Sequence, residues 1–508
     1  MQLFYKARRP FRLSLLVLGL LLLTLTLAAC GESTAPTPTS TGQAASPSTN
    51  APSSGTVVAG DTAQTTSGAT SGATSGATSA ATAAATSPTP GVLFTPGTEN
   101  TPPATASATV SVVDPNAKGS LVIWDGLTDK MASTLKDQVA NFSKAYPGIK
   151  VTLQHFDSDD LIYSVQNAAP NELPDLMVAP GDYVADLTAA KALQPADKAL
   201  GQSFLGAYDP KALGSSQLDG TQWGVPYTLS GATVLLYNKK LVPTPPTTWT
   251  DLGKMAQPLY NTQNKSIGLA IDVNEPFFLT SLLGGFGGTV LDSQNQPTLN
   301  TPQMVSALTY INTLLKDKTV RDTSRLKDNQ IEYAFRDGRL GFYIGPDALI
   351  SQYSNAINAT GSDSKLDLGV APLPNIDQTG KPAVPFSDSQ TFFLGAQLGG
   401  DRLNTAKTFL SWLAQPAQQS SLLSEASLLP PTTAFLNSDA VKGNPVWSGL
   451  YSELQIAQPQ PATMAMRAVW AALRPNLEQV VAGTAKPAAA AQQMQQDAVT
   501  GVAKLATR

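Results

Sequence analysis

The chain has 508 residues, with 33 Lys and Arg against 37 Asp and Glu, and a net charge of −4. Its single cysteine excludes an internal disulfide, and its single histidine, His155, leaves few ligands for a zinc or copper site. No basic block or stripe appears, which argues against nucleic acid as a partner. We therefore predict neither a metal nor a cofactor.

The N-terminus has the pattern of an export signal. Four basic residues precede an apolar run over Leu15–Leu27, which is shorter than the roughly twenty residues that a membrane span needs. The run ends in Leu-Ala-Ala before Cys30, which resembles the lipobox of bacterial lipoproteins. That resemblance implies a signal peptide over 1–29 and a lipid on Cys30. An uncleaved anchor and an ordinary signal peptide are the alternatives.

Residues 30–118 form a segment rich in Ser, Thr, Ala, Pro and Gly, in which Ser-Gly-Ala-Thr repeats across 67–78. Such a segment has too little apolar surface to offset the entropy of ordering its backbone, so we predict a disordered tether. As a random coil its root-mean-square span is on the order of 50 Å. It would hold a globular body away from a membrane.

Regular structure is predicted from residue 119 onward. An apolar run over 121–124 predicts a buried strand, and apolar residues spaced by three and four over 135–146 predict an amphipathic helix. Alternation over 149–153 predicts a second strand, and a third follows at 176–178. His155 continues the face of the second strand, which favours a structural role over catalysis.

Strands and helices are again predicted to alternate from residue 232 onward. Thr248 is a predicted helix cap, and Pro302 lies near the predicted start of a long amphipathic helix. Further strands are predicted within 232–241, 266–272, 340–344 and 391–397. The fold class is therefore α/β, with two units and a cleft between them. Ligands of such sheets bind beyond the carboxyl ends of the strands.

The order of segments from Leu121 onward resembles the extracellular solute-binding proteins of bacterial ABC importers, and most of all their maltose/maltodextrin-binding branch. The resemblance rests on eight stretches in the order of that family: LVIWDG, FSKAYPGIKV, LPDLMVAPGDYVADL, WGVPYTLSGATVLLYNKKL, PTPPTTWTDL, DVNEPFFLTSLLGGFGG, AFRDGRLGFYIGP and AMRAVWAALRPNLEQVVAG. It implies a periplasmic-binding-protein-like type II fold, in which two α/β lobes joined by hinge strands close over one solute.

The resemblance also implies lobe boundaries and partners. The predicted lobes are 119–229 plus 386–436 and 230–385 plus 437–508, with crossings near Thr228–Gly231, Lys381–Ser387 and Phe435–Lys442. The implied partners are a carbohydrate ligand, the permease subunits of an ABC transporter, and the membrane through the lipid on Cys30. The protein would act outside the cytoplasm as a monomer.

Sugar binding needs flat aromatic surfaces and side chains that form paired hydrogen bonds. By resemblance, Asp129 and Lys130 match an Asp-Lys pair that grips sugar hydroxyls. Asp182 falls where the family has a sugar-binding aspartate, while Tyr183 replaces the arginine that follows it. A helix-start carboxylate with a solvated lysine, and an ordinary turn aspartate, are the structural alternatives.

The remaining candidates are mostly aromatic. Glu275 and Phe277 match a Glu-Pro-Tyr motif whose tyrosine stacks on sugar, and Trp470 matches a stacking tryptophan four residues before an arginine. The alternative for each ring is core packing. Further candidates for the rim of the cleft are Trp124, Trp223 and Tyr227.

Two positions depart from the family pattern. Asp347 stands where the family has a second stacking tryptophan, and Ser230-Gly231 stands where it has a carboxylate. These departures put maltose itself in doubt as the ligand. They leave a different oligosaccharide, or a sugar-like polar solute, as the expectation.

Two other functions stay open at this level. A lipid-anchored glycoside hydrolase would need two carboxyl groups about 5–10 Å apart, and Glu275 and Asp347 are the available pair. A sugar receptor that serves a sensor kinase or adhesion would have the same body with a different partner. We predict a binding protein without catalytic residues.

Overall fold

The computed structural model describes residues 117–325, 330–360 and 364–505. The predicted signal peptide over 1–29, Cys30 and nearly all of the predicted tether lie outside these residues. The described part therefore corresponds to the predicted globular body.

Short strands occur throughout the described part. In chain order they are β1 (Gly119–Asp125), β2 (Ile149–His155), β3 (Leu176–Pro180), β4 (Leu193–Gln194), β5 (Gln217–Leu218), β6 (Thr221–Gln222), β7 (Gly224–Pro226), β8 (Thr233–Asn238), β9 (Ile267–Ile271), β10 (Val320–Asp322), β11 (Leu340–Pro346), β12 (Leu368–Ala371), β13 (Asn375–Ile376), β14 (Lys381–Pro382), β15 (Phe386–Ser387), β16 (Gln390–Gly395) and β17 (Gln458–Pro459).

Helices connect these strands and form the C-terminal region. They are α1 (Asp129–Ala145), α2 (Ser158–Asn167), α3 (Val184–Ala189), α4 (Ala196–Leu200), α5 (Gln202–Leu205), α6 (Pro210–Gly214), α7 (Trp249–Ala256), α8 (Pro276–Gly285), α9 (Pro302–Leu314), α10 (Gln330–Arg336), α11 (Ala348–Thr360), α12 (Gly400–Leu413), α13 (Pro416–Ser421), α14 (Thr433–Leu436), α15 (Asp439–Lys442), α16 (Pro445–Ile456), α17 (Met464–Val481) and α18 (Pro487–Leu505). Single 3₁₀ turns span Gly181–Tyr183, Gln257–Leu259 and Thr323–Arg325, and a π turn spans Leu422–Ala426.

The first lobe is built on a sheet of order β2-β1-β3-β16-β4, with β7 also paired to β16. Strand β1 lies parallel to β2 and β3, whereas β16 is antiparallel to β3. Aromatic and aliphatic side chains such as Phe142, Phe392 and Phe409 fill its core. Because β1 and β3 run parallel, their carboxyl ends meet at one edge of the sheet.

The second lobe has a sheet of order β10-β9-β11-β8-β12. Strands β9, β10 and β11 are parallel, and β8 is antiparallel to β11 and β12. One core on this sheet includes α17 and α18, and another includes α11 and α16. The carboxyl ends of β9 and β11 lead directly to Asp272 and Asp347.

The predicted helix starts have the expected geometry. The Thr248 hydroxyl accepts a hydrogen bond from the Asp251 amide at 3.1 Å before α7. The Thr301 hydroxyl accepts one from Met304 at 3.2 Å, with Pro302 opening α9. Each cap satisfies an amide that has no partner within the helix.

The chain segments at the first two predicted crossings lie side by side. Ser230 and Asp388 exchange backbone hydrogen bonds of 2.9 and 2.6 Å, and β15 pairs in parallel with β17. Gly231 has φ of 94°, and a Cβ there would lie 2.8 Å from the Asp388 Cβ. Glycine is therefore required at this close approach.

The third predicted crossing, near Phe435–Lys442, lies at one core of the structure. Leu429, Leu436 and Val441 pack there together with Leu229, which the prediction assigns to the first lobe. The positions of the crossings and the lobe boundaries remain predictions.

The two sheets with helices around them confirm the α/β fold class. Within residues 117–325, 330–360 and 364–505, no helix combines the length and apolar character that crossing a membrane requires. The same residues contain no cluster of three or more His, Cys, Asp or Glu side chains arranged to hold a metal ion.

Candidate functional site

The second lobe presents an aromatic cluster next to the crossing strands. The Phe277 and Trp470 rings are stacked, with centroids 4.5 Å apart and planes inclined by 24°. Phe386 meets both rings edge-on, at 6.5 and 6.1 Å. Phe277 and Trp470 are only partly buried against the core, so they retain accessible surface. Flat, partly exposed rings of this kind suit the C–H faces of a sugar.

One helix cap and one ion pair hold the elements that carry these rings. Glu275 caps α8 by accepting a hydrogen bond from the Phe277 amide at 3.4 Å, and Pro276 occupies the first helical position. Arg474 lies one turn after Trp470 on α17, and its Nη2 lies 3.4 Å from a Glu275 oxygen. The start of α8 is thereby tied to the helix that carries the indole.

The first lobe contributes carboxylates at the end of β3. Asp182 lies in the 3₁₀ turn after this strand and accepts a hydrogen bond from Gln460 Nε2 at 2.8 Å. Burial raises the pKa of Asp182, the charge of Arg467 opposes that shift, and the charge of Asp186 reinforces it. A partly buried carboxylate with a few defined partners suits hydrogen bonding to hydroxyl groups.

Arg467 from α17 reaches this group from the second lobe. Its Nη2 lies 2.8 Å from the Asp186 Oδ2, and its Nη1 lies 3.5 Å from the Asp182 Oδ2. The guanidinium carbon lies 4.9 Å from the centre of the Tyr183 ring, which is itself buried. The sequence analysis did not select Arg467, because its partners are far away along the chain.

Two more carboxyl groups lie at the crossing strands. Asp347 follows β11 and accepts a hydrogen bond from the Gly231 amide at 2.8 Å, and burial raises its pKa to about 6. Burial, reinforced by the charge of Asp182, raises the pKa of Asp388 to about 8. Asp388 is a second residue that the sequence analysis missed. Gly231 lies against both groups, since its amide donates to Asp347 and its backbone closely approaches Asp388.

Asp129 and Lys130, the predicted sugar-binding pair, lie at the start of α1. Asp129 opens this helix, but its side chain lies outside the described part. Lys130 is exposed in the same turn. Asp125, at the end of β1, contacts His155 Nδ1 at 2.8 Å, which agrees with a structural role for the single histidine.

The three rim candidates all belong to the first lobe. Trp124 and Trp223 are partly buried against a small core, and Trp124 contacts the Phe156 ring at 5.0 Å. Tyr227 is only 2% exposed, and its hydroxyl donates to Gln138 Oε1 at 2.8 Å. The structure therefore places Tyr227 in the core and does not bring it to the cleft.

Comparison with known proteins identifies the class. The family model described as bacterial extracellular solute-binding protein matches residues 137–446. The chain belongs to this family, as its sequence pattern predicted. The prediction of a binding protein rather than an enzyme is confirmed, since its curated relatives are named as binding proteins.

Two curated relatives and one solved structure are named for the sugars that they bind. The chain is 24% identical to the maltotriose-binding protein of Pyrococcus abyssi over 72% of this chain and 78% of that protein. It is 24% identical to a maltooligosaccharide ABC transporter solute-binding lipoprotein of Streptococcus pneumoniae strain R6, over 68% and 82%. Among solved structures, the maltose/maltodextrin-binding domain of Bdellovibrio bacteriovorus bound to maltotriose is 26% identical, with a TM-score of 0.63 and coverage of 76% and 100%.

Proposed function

We propose that this protein is the lipid-anchored substrate-binding subunit of an ABC importer. It captures a maltodextrin-like oligosaccharide by closure of its two lobes and delivers it to a membrane permease. Its anchor is a lipid on Cys30, and the segment over 30–118 is the tether. The lipobox-like sequence and the lipoprotein relative support this anchoring.

The observation that carries the proposal is the position of Arg467 on α17. This residue contacts Asp182 of the first lobe, and Trp470 follows it by one helical turn. We infer from these contacts that a stacking surface on one lobe and a carboxylate on the other border the same space. Sugar recognition needs both kinds of group, and contact with both lobes is what couples binding to closure.

The roles of the individual residues follow from this arrangement. Trp470 and Phe277 stack on sugar rings, and Asp182 accepts hydrogen bonds from hydroxyls. Glu275 with Arg474, and Asp347 at the crossing, supply further polar contacts. Asp129 and Lys130 complete the polar side of the first lobe. The maltodextrins named for relatives in several organisms support an oligosaccharide as the ligand.

Calorimetry with a panel of sugars tests this function. We expect saturable binding of maltotriose, weaker or no binding of glucose and cellotriose, and no released glucose after prolonged incubation. Absence of binding by any maltodextrin would contradict the ligand class. Release of glucose would contradict the role as a receptor.

A further inference from the structure

The position after Asp182 holds tyrosine, whereas the resembled family carries arginine there. The structure nevertheless places a guanidinium beside this aspartate. Arg467 lies over the Tyr183 ring, 4.9 Å from its centre, and its Nη1 is 3.5 Å from the Asp182 carboxylate. The cation that is missing from the first lobe is thus present in space, but it belongs to the second lobe.

We infer that Arg467 is a positioning residue that ties the orientation of the Asp182 carboxylate to the approach of the two lobes. The inference rests on the proposed function and deepens it. We call this contact the tie: it consists of the ion pairs of Arg467, on the second lobe, with Asp182 and Asp186, on the first lobe. In this protein, the first-lobe half of the binding site is fully arranged only when α17 lies against it.

The local chemistry favours such a tie. Arg467 is 26% exposed, and its Asp186 and Asp182 partners are 20% and 12% exposed, so water screens these charges only in part. A planar guanidinium can hold two carboxylates and pack on an aromatic face at once. Gln460, which precedes α17, adds a neutral hydrogen bond to Asp182 at 2.8 Å.

The carboxylates also need this cation. The Asp182 carboxylate lies near the like charge of Asp186 in a partly buried space, and this charge raises the pKa of Asp182. Arg467 is the group that lowers the pKa of Asp182 most, so its removal would favour the protonated acid. A protonated Asp182 loses capacity to accept hydrogen bonds from hydroxyls.

The test compares Arg467→Met, Arg467→Lys and Asp186→Asn in the chain from residue 30 onward. Arg339→Met is the matched control, because Arg339 pairs with Asp337 at 3.2 Å within the second lobe alone. For Arg467→Met we expect at least tenfold weaker maltotriose binding and a larger radius of gyration without sugar. Arg467→Lys should lose less affinity, because it keeps the charge, and Arg339→Met should match the unaltered protein.

The dependence of maltotriose affinity on salt concentration distinguishes this electrostatic role of Arg467 from a purely structural one. Affinity of the unaltered protein for maltotriose should fall as ionic strength rises, while that of Arg467→Met should depend less on salt. Unchanged affinity and an unchanged radius for both Arg467→Met and Asp186→Asn would overturn the inference. If Arg467→Met does not fold, as judged by circular dichroism, the affinities and radii of Arg467→Lys and Asp186→Asn test the inference.

The proposed function and this inference fail differently. If the unaltered protein binds no maltodextrin, the proposed ligand class is wrong, and the radius measured without sugar still tests the tie. A larger radius for the variants then supports the interlobe role of Arg467, and an identical radius overturns it.

Discussion

Replacing Trp470 with alanine should weaken oligosaccharide binding at least tenfold, which corresponds to about 1.4 kcal/mol. The indole is stacked on Phe277 with centroids 4.5 Å apart, and it is only partly buried. Its loss removes one flat surface and the stacked neighbour of Phe277, which keeps its edge-on contact with Phe386. Because no polar atom is buried by the change, the lobes should stay folded, with a modest loss of stability.

Two control variants make this result specific. Trp470→Phe keeps a flat ring and should retain more affinity than Trp470→Ala. Tyr163→Ala removes an aromatic side chain that is 68% exposed on α2 and should leave affinity unchanged. Calorimetry with maltotriose measures all three. Native affinity in Trp470→Ala would show that this indole does not contact the ligand.

The second large effect concerns the dependence of stability on pH. The pKa of Asp388 is raised to about 8, from an ordinary value of 3.8, because the group is buried and lies near the charge of Asp182. Between these values the folded protein keeps a proton that the unfolded chain has released. The free energy of unfolding therefore falls as pH rises through this window. Asp347, with a pKa raised to about 6, acts in the same direction over pH 4–6.

Asp388→Asn should reduce this slope, most clearly above pH 6, because an amide does not titrate. At pH 9 the variant should be more stable than the unaltered protein by about 1 kcal/mol or more. Its side-chain oxygen can still accept the Ser389 amide hydrogen, which Asp388 accepts at 2.7 Å. Urea denaturation at pH 5, 7 and 9 measures the difference, with Asp160→Asn on the exposed side of α2 as the control. Parallel pH profiles for Asp388→Asn and the unaltered protein would refute the effect.

These two predictions describe different parts of one site. Trp470 acts by contact with the ligand, so its replacement changes affinity more than stability. Asp388 acts through the electrostatics of the crossing strands, so its replacement changes stability and its pH dependence. Measuring both quantities on both variants separates binding groups from groups that shape the junction.

Much of the fold follows from local signals in the sequence. The alternation over 149–153 predicted β2, because a half-buried strand shows its buried face with a period of two, and the short apolar run over 121–124 predicted β1. Thr248 and Pro302 marked the starts of α7 and α9, because unpaired amides at helix starts select these residues. Such signals need no knowledge of distant parts of the chain.

Only some residues of the candidate site could be predicted from the sequence. Phe277 and Trp470 were selected by resemblance, and the structure brings them together across almost two hundred residues. Arg467 and Asp388 carry no local signal, because their roles arise only when α17 and the second crossing return to the end of β3. Tyr227 was selected as a rim candidate but is buried, because it directly follows β7, whose three residues are all buried.

The central claim is that two lobes close over an oligosaccharide held between Asp182 and Trp470. Small-angle scattering of the protein with and without saturating maltotriose tests it most directly. We predict a smaller radius of gyration with the sugar, because closure brings the lobes together. An identical radius, with binding verified in the same sample by calorimetry, would contradict the claim.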